Sequence, residues 1–153
     1  MNIGDTAPAF DLPTDGGGNA SLAALKGRKV VLYFYPRDDT PGCTTEAIAF
    51  TALKADFTAA DTTVIGVSKD SVAAHAKFRA KHSLGVDLGS DPDGAVIEAY
   101  GAWVEKSMYG KKYMGIDRAT FLIDRDGRIA GVWHKVKVPG HAAAVLKAAH
   151  DLA

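Results

Sequence analysis

Between Lys29 and Tyr35 the chain reads Lys-Val-Val-Leu-Tyr-Phe-Tyr, apolar at nearly every position. A strand with one wet face alternates apolar and polar residues, whereas a strand apolar throughout must be covered on both faces. Covering both faces takes further layers of structure, as in an α/β sheet wrapped by helices. Pro36 to Gly42, with two prolines, two aspartates and a glycine, ends the strand. Ala47, Phe50, Leu53 and Phe57 then recur at helical spacing, so a helix is expected from Pro41–Cys43 to about Phe57.

The same logic organises the rest. Residues 1–13 read as extended, with Pro8 and Pro13 discouraging helix, and Ser21 to Leu25 as one helical turn. Thr63–Ser68 is a second buried strand, followed by a helix over 71–81 capped by Asp70 or Ser71. Val86–Leu88 is a short strand, Asp91–Gly94 a turn and Ala95–Tyr100 a short helix. Ala119–Asp124 and Arg128–His134 flank an Asp-Gly turn and form a hairpin, and residues 141–151 form a closing amphipathic helix. The order predicts a thioredoxin-like α/β fold, a central mixed sheet with helices on both faces. The 153 residues suit a single domain spanning 1–153.

Charge narrows the function. Eighteen basic residues balance eighteen acidic ones. Nucleic-acid binders carry a basic excess to neutralise phosphates, so no nucleic-acid partner is expected. No apolar run has the length of a membrane span, and the first residues lack the basic start of a secretory signal. A cytoplasmic protein without a membrane partner is the expectation. One cysteine permits neither an intrachain disulfide nor a CxxC pair.

That cysteine, Cys43, falls just after a buried strand and in the first turn of a helix. Unpaired N–H groups at a helix N-terminus favour negative charge, and the thiolate is the reactive form of cysteine. Strand-to-helix loops at the carboxyl end of a sheet are also where open α/β proteins bind ligands. Position alone leaves a buried, inert thiol equally open.

The surrounding residues add more. Tyr35 to Ala47 reads YPRDDTPGCTTEA, with Pro36, Thr40 and Cys43 spaced P-x-x-x-T-x-x-C. GDTAPAFDLP, VVLYFYP, VIGVSKDS, LGSDPDG and YGKKYMGIDRATFLIDRDGRI follow one another between Gly4 and Ile129. The chain resembles the peroxiredoxins, in particular the bacterioferritin-comigratory-protein, or peroxiredoxin Q, branch. The resemblance implies a thiol peroxidase acting on hydrogen peroxide and alkyl hydroperoxides. Cys43 matches the peroxidatic cysteine, Thr40 the hydroxyl that bonds thiolate and peroxide, Pro36 the proline that shields the site, and Arg118 the arginine approaching from another strand. Backbone N–H groups at Gly42 and Cys43 are further candidate donors to the developing charge. Glu46 is read as a carboxylate favourable to the helix dipole, with orientation of Arg118 as the alternative.

The chain departs from the branch at one point. The resolving cysteine that many members carry five residues after the first is Ile48 here, and residues 73–80 hold none. This implies a 1-Cys mechanism, with the sulfenic acid reduced by an external thiol, thioredoxin or glutathione with glutaredoxin. A non-turnover redox sensor or chaperone-type protein on the same fold, and a general thiol–disulfide oxidoreductase, are the alternatives. A monomer or weak dimer is expected. No motif calls for a cofactor or metal. His75 and His82, seven apart on a helix face, are read as surface residues. Trp103, Tyr109, Tyr113 and Met114 are read as packing a core or loop, with walling the pocket as the alternative.

Overall fold

The structure, a computed structural model, describes residues 1–153. Strands β1 (Asp11–Pro13) and β2 (Asn19–Ser21) form a small hairpin, and a 3₁₀ turn at Ala23–Leu25 leads into β3 (Lys29–Phe34). Helices α1 (Pro41–Ala52) and α2 (Lys54–Ala59) precede β4 (Thr62–Ser68), α3 (Val72–His82), β5 (Asp87–Ser90) and α4 (Ala95–Ala99). Strands β6 (Trp103–Met108), β7 (Lys111–Ile116), β8 (Ala119–Ile123) and β9 (Ile129–Trp133) and helix α5 (His141–Asp151) complete the chain.

The central sheet has the order β5-β4-β3-β8-β9. Its β3, β4 and β5 run parallel, while β8 and β9 are antiparallel to their neighbours. This is the expected mixed sheet. All six residues of β3 are buried. Val31, Tyr33 and Tyr35 face a core shared with Phe50 of α1, Phe57 of α2, Phe78 of α3 and Val145 of α5. Val30, Leu32 and Phe34 face the opposite core, with Phe10, Leu12, Ile97 and Tyr100. Helices cover both faces unequally: α1, α2, α3 and α5 lie on one, and α4 with the β1–β2 hairpin on the other.

Three expectations need correction. The helix expected to run through Phe57 breaks at Leu53, whose N–H reaches back only three residues, to the Phe50 carbonyl at 3.2 Å. Both halves still turn a phenylalanine, Phe50 and Phe57, into the core. Residues 103–116 form a separate two-stranded ribbon that the sequence reading did not predict. Tyr109 and Gly110, with φ of 52° and 77°, make the turn of mirror-image type that suits the twist of a hairpin. Its side chains do not pack as a cluster: Tyr109 is 98% exposed, and Tyr113 and Met114 are exposed too. Only Trp103 packs against the core, with Lys69 Nζ 3.8 Å above its ring. Finally, His75 is completely buried rather than on the surface.

Candidate active site

The register of the sheet assembles the site. Phe34, the last residue of β3, pairs with Ala119, the first of β8. Arg118 therefore stands beside the carboxyl end of β3, from which residues 35–40 lead to α1. Its backbone is held in place on both sides. The Asp117 N–H donates to Ala102 O at 2.7 Å, and the Val136 N–H to Arg118 O at 2.9 Å.

Across this gap lies Cys43, 1% exposed, in the first turn of α1. Arg118 Nη2 donates to Cys43 Sγ at 3.3 Å, and Nη1 donates to Glu46 Oε1 at 2.8 Å. One guanidinium thus bridges the thiol and a carboxylate one helical turn further on. Planar donors in a fixed fork suit this double contact, which a lysine would not reproduce. Gly42 leaves room for it: a β-carbon there would stand 3.1 Å from Arg118 Nη2.

Glu46 is buried, and its Oε2 has no hydrogen-bond partner. Burial pushes its carboxyl up to about 7, an effect the charge and hydrogen bond of Arg118 only partly offset. The geometry is that of an Arg118 orienter, the alternative weighed from the sequence, rather than an exposed partner of the helix dipole. Arg118 itself is raised above its ordinary value. Burial alone would lower it, but the charge and hydrogen bond of Cys43, then those of Glu46, outweigh burial.

The start of α1 supplies donors. Pro41 at the first helical position has no N–H, and the Thr44 N–H bonds the Thr40 carbonyl at 2.9 Å. The N–H groups of Gly42 and Cys43 lie between them and have no carbonyl of their own helix to reach. Thr40 differs from expectation. Its hydroxyl donates to the Arg37 carbonyl at 2.9 Å and makes no bond to Cys43. Pro36 is exposed at the start of the loop.

Two groups escaped the sequence reading. Lys106 on β6 senses the site. Burial lowers its pKa, and the charges of Asp117, Arg118 and Cys43 also act on it. The second is the fastening of the loop to α3. His75 Nδ1 lies 2.6 Å from Asp38 Oδ2, while Lys81 and His82 bond Asp39 at 2.8 and 2.9 Å. His75 and His82, seven apart on one face of α3, meet two consecutive aspartates, Asp38 and Asp39. The Asp-Asp pair within the breaker segment was the available signal.

A thiol in the first turn of a helix, beside a mixed sheet and against a fixed guanidinium, is the constellation of a peroxiredoxin. A model of the AhpC/TSA family matches residues 3–132. The chain belongs to this family and is a thiol-dependent peroxidase of thioredoxin-like fold. It is 53% identical over 146 residues to a putative peroxiredoxin bcp of Coxiella burnetii, covering 95% of this chain and 97% of that one. It is 45% identical over 152 residues to peroxiredoxin Bcp of Bacillus subtilis, covering 99% and 97%. Among solved structures, a cysteine-to-serine mutant of Xylella fastidiosa PrxQ matches with a TM-score of 0.91 at 42% identity, covering 96% of this chain and 94% of that one. Xanthomonas campestris peroxiredoxin Q matches at 0.87 and 46%, covering 92% and 89%.

Proposed function

We propose that Cys43 is the peroxidatic nucleophile of a single-domain 1-Cys peroxiredoxin that reduces hydrogen peroxide and alkyl hydroperoxides. The observation that carries this reading is the Arg118–Cys43 contact at 3.3 Å, beside the free N–H groups of Gly42 and Cys43. The Cys43 thiolate attacks the outer peroxide oxygen. An S–O bond forms, the O–O bond breaks, and the leaving alkoxide or hydroxide takes a proton. Negative charge moves from sulfur to oxygen in this step, and preorganised donors along that path stabilise the transition state. Arg118 follows the charge without leaving Glu46. Thr40 joins by turning its hydroxyl from the Arg37 carbonyl to the bound peroxide, because a hydroxyl has one proton to donate. Pro36 shields the approach.

Cys43 is the chain's single cysteine, so the sulfenic acid has no internal partner. An external thiol condenses with it, releasing water and forming a mixed disulfide. A second thiol then frees the Cys43 thiolate. Thioredoxin and glutathione with glutaredoxin are the candidate reductants. No helix is long and apolar enough to cross a membrane. The proposed setting is the cytoplasm, and the proposed state a monomer or weak dimer.

The test is steady-state peroxide consumption with each reductant system supplied separately. Turnover is expected with one of them and none with Cys43→Ser. Turnover equal to that of the serine variant would overturn the reading. Arg118→Ala is expected to lower the peroxide rate about 100-fold or more, the scale of losing one preorganised donor.

A further inference from the structure

The loop from Pro36 to Thr40 sets where α1 begins, and its fastening is unusually specific. Asp38 is the centre. Its Oδ1 accepts from the Tyr35 hydroxyl at 2.6 Å, and its backbone N–H donates to Asp70 Oδ2 at 2.8 Å. Asp70 is itself held by the Ser68 hydroxyl at 2.6 Å. The third tie is His75, which reaches Asp38 Oδ2 from α3 through Nδ1 at 2.6 Å.

The other ring nitrogen decides the charge of this tie. His75 Nε2 lies 3.0 Å from the Gly89 carbonyl of β5. A carbonyl only accepts, so Nε2 carries a proton. A further proton must lie between Nδ1 and Oδ2, because otherwise a lone pair would face a carboxylate oxygen at 2.6 Å beside a fully buried ring. Whether it sits on nitrogen or oxygen, the pair holds one proton more than neutral histidine with ionised aspartate. The ring therefore donates to both acceptors only while that proton is bound; a neutral ring has one N–H and can hold Asp38 or the Gly89 carbonyl, not both.

We propose that His75 is a positioning residue for the peroxide reaction: through Asp38 it clasps the 36–40 loop and so places Thr40 and the first turn of α1 for attack by Cys43. The inference rests on the peroxidase reading of Cys43. A misplacement of about 1 Å in such a site costs on the order of 100-fold in rate, so a clasp two residues from Thr40 is close enough to matter.

The sign of the pH effect follows. Burial alone would lower the pKa of His75, but the hydrogen bond and charge of Asp38, the Gly89 carbonyl and the charge of Asp70 together raise it. A raised folded value means that the double tie is complete below the ordinary histidine range and gives up one of its two bonds as pH climbs through the folded value. The groups facing the ring are Asp38 and Tyr35 from the loop, Asp70 from the end of β4, and Asp15, which Arg79 pairs at 2.5 Å. Lys81, His82 and Asp39 form the neighbouring tie one helical stretch along.

The test measures the rate of Cys43 oxidation by hydrogen peroxide in the reduced protein, from mildly acidic to alkaline pH. The unaltered protein is expected to show an alkaline fall. In His75→Gln, which cannot span both acceptors, the rate is expected to drop about tenfold or more and to lose that fall. Alkylation of Cys43 by iodoacetamide, which needs no peroxide geometry, should change far less. Asp38→Asn should behave alike, and the double variant should be no worse than either single one. Nitrogen NMR of the His75 ring in the unaltered protein adds a readout independent of variant folding: the change in the ring-nitrogen shifts as the pair loses its extra proton should coincide with the alkaline fall. Unchanged peroxide rates in His75→Gln, or midpoints that do not coincide, would overturn the clasp and leave the peroxidase standing. Absence of Cys43 oxidation in the unaltered protein would overturn both.

Discussion

Gly42 and Glu46 set the two sides of Arg118, and each can be tested alone. Glycine early in a helix is costly, and alanine there should gain up to about 1 kcal/mol of stability. In this chain the added methyl would press on Arg118 Nη2 at 3.1 Å and move it off the sulfur. Gly42→Ala is therefore expected to raise the melting temperature slightly while lowering the peroxide rate. A variant that gained stability with no loss of rate would show that Arg118 has slack. Glu46 makes the opposite kind of prediction. Its carboxyl rises from an ordinary 4.5 to about 7 because burial leaves Oε2 without a partner. A folded value above the unfolded one contributes stability below about 4.5 that is lost as pH rises through about 7. Denaturant unfolding should show the protein losing on the order of 3 kcal/mol across that interval. Glu46→Gln should flatten the slope; an unchanged slope would assign it to another group.

At the scale of elements, α5 is fastened by an unusual residue. Lys29 begins β3, is buried, and donates from Nζ to the carbonyls of Ala149 at 2.6 Å and Leu152 at 2.9 Å. A cation at a helix C-terminus satisfies carbonyls that the helix leaves free. Lys29→Met keeps the aliphatic stem but strands those carbonyls, and should cost about 1–3 kcal/mol. Hydrogen exchange should quicken in α5 before the central strands; uniform quickening would deny the local role. Such ties mark where sequence reading stops. The strands β3, β4 and β8 are legible because an apolar run has few other places to go. The Cys43 segment is legible because proline, threonine and cysteine spacing is local. Ribbon β6–β7 is not, since both its faces are largely exposed and no apolar alternation announces it. His75 looks like a surface residue because its reason for burial, Asp38, lies 37 positions away. The turned-away hydroxyl of Thr40 is a rotamer, which spacing does not encode.

Over the whole molecule, the decisive fact is that one thiol is both the reactive group and part of the packed core. Cys43 belongs to the same cluster as Tyr33, Tyr35 and Phe50. Peroxide is a far smaller molecule than a protein reductant, which must bring a second sulfur into bonding distance of a side chain 1% exposed. The first turns of α1 are therefore expected to open during recycling, so that the two halves of the cycle use different conformations. Ile48 gives a way to test this within one chain. It is 45% exposed on α1, so replacement leaves the core alone. Along an intact helix five residues rise about 7.5 Å, beyond the Cα spacing that ordinary disulfides tolerate. Ile48→Cys is thus expected to form an internal disulfide after one equivalent of peroxide only if α1 unwinds. Helical circular dichroism should fall as the disulfide forms, and hydrogen exchange should quicken over residues 41–52 while β3, β4 and β8 stay protected. A sulfenic acid that persists beside a free thiol at residue 48, with α1 unchanged, would show that the helix does not open. Recycling in the natural chain would then have to reach a buried sulfur by another route.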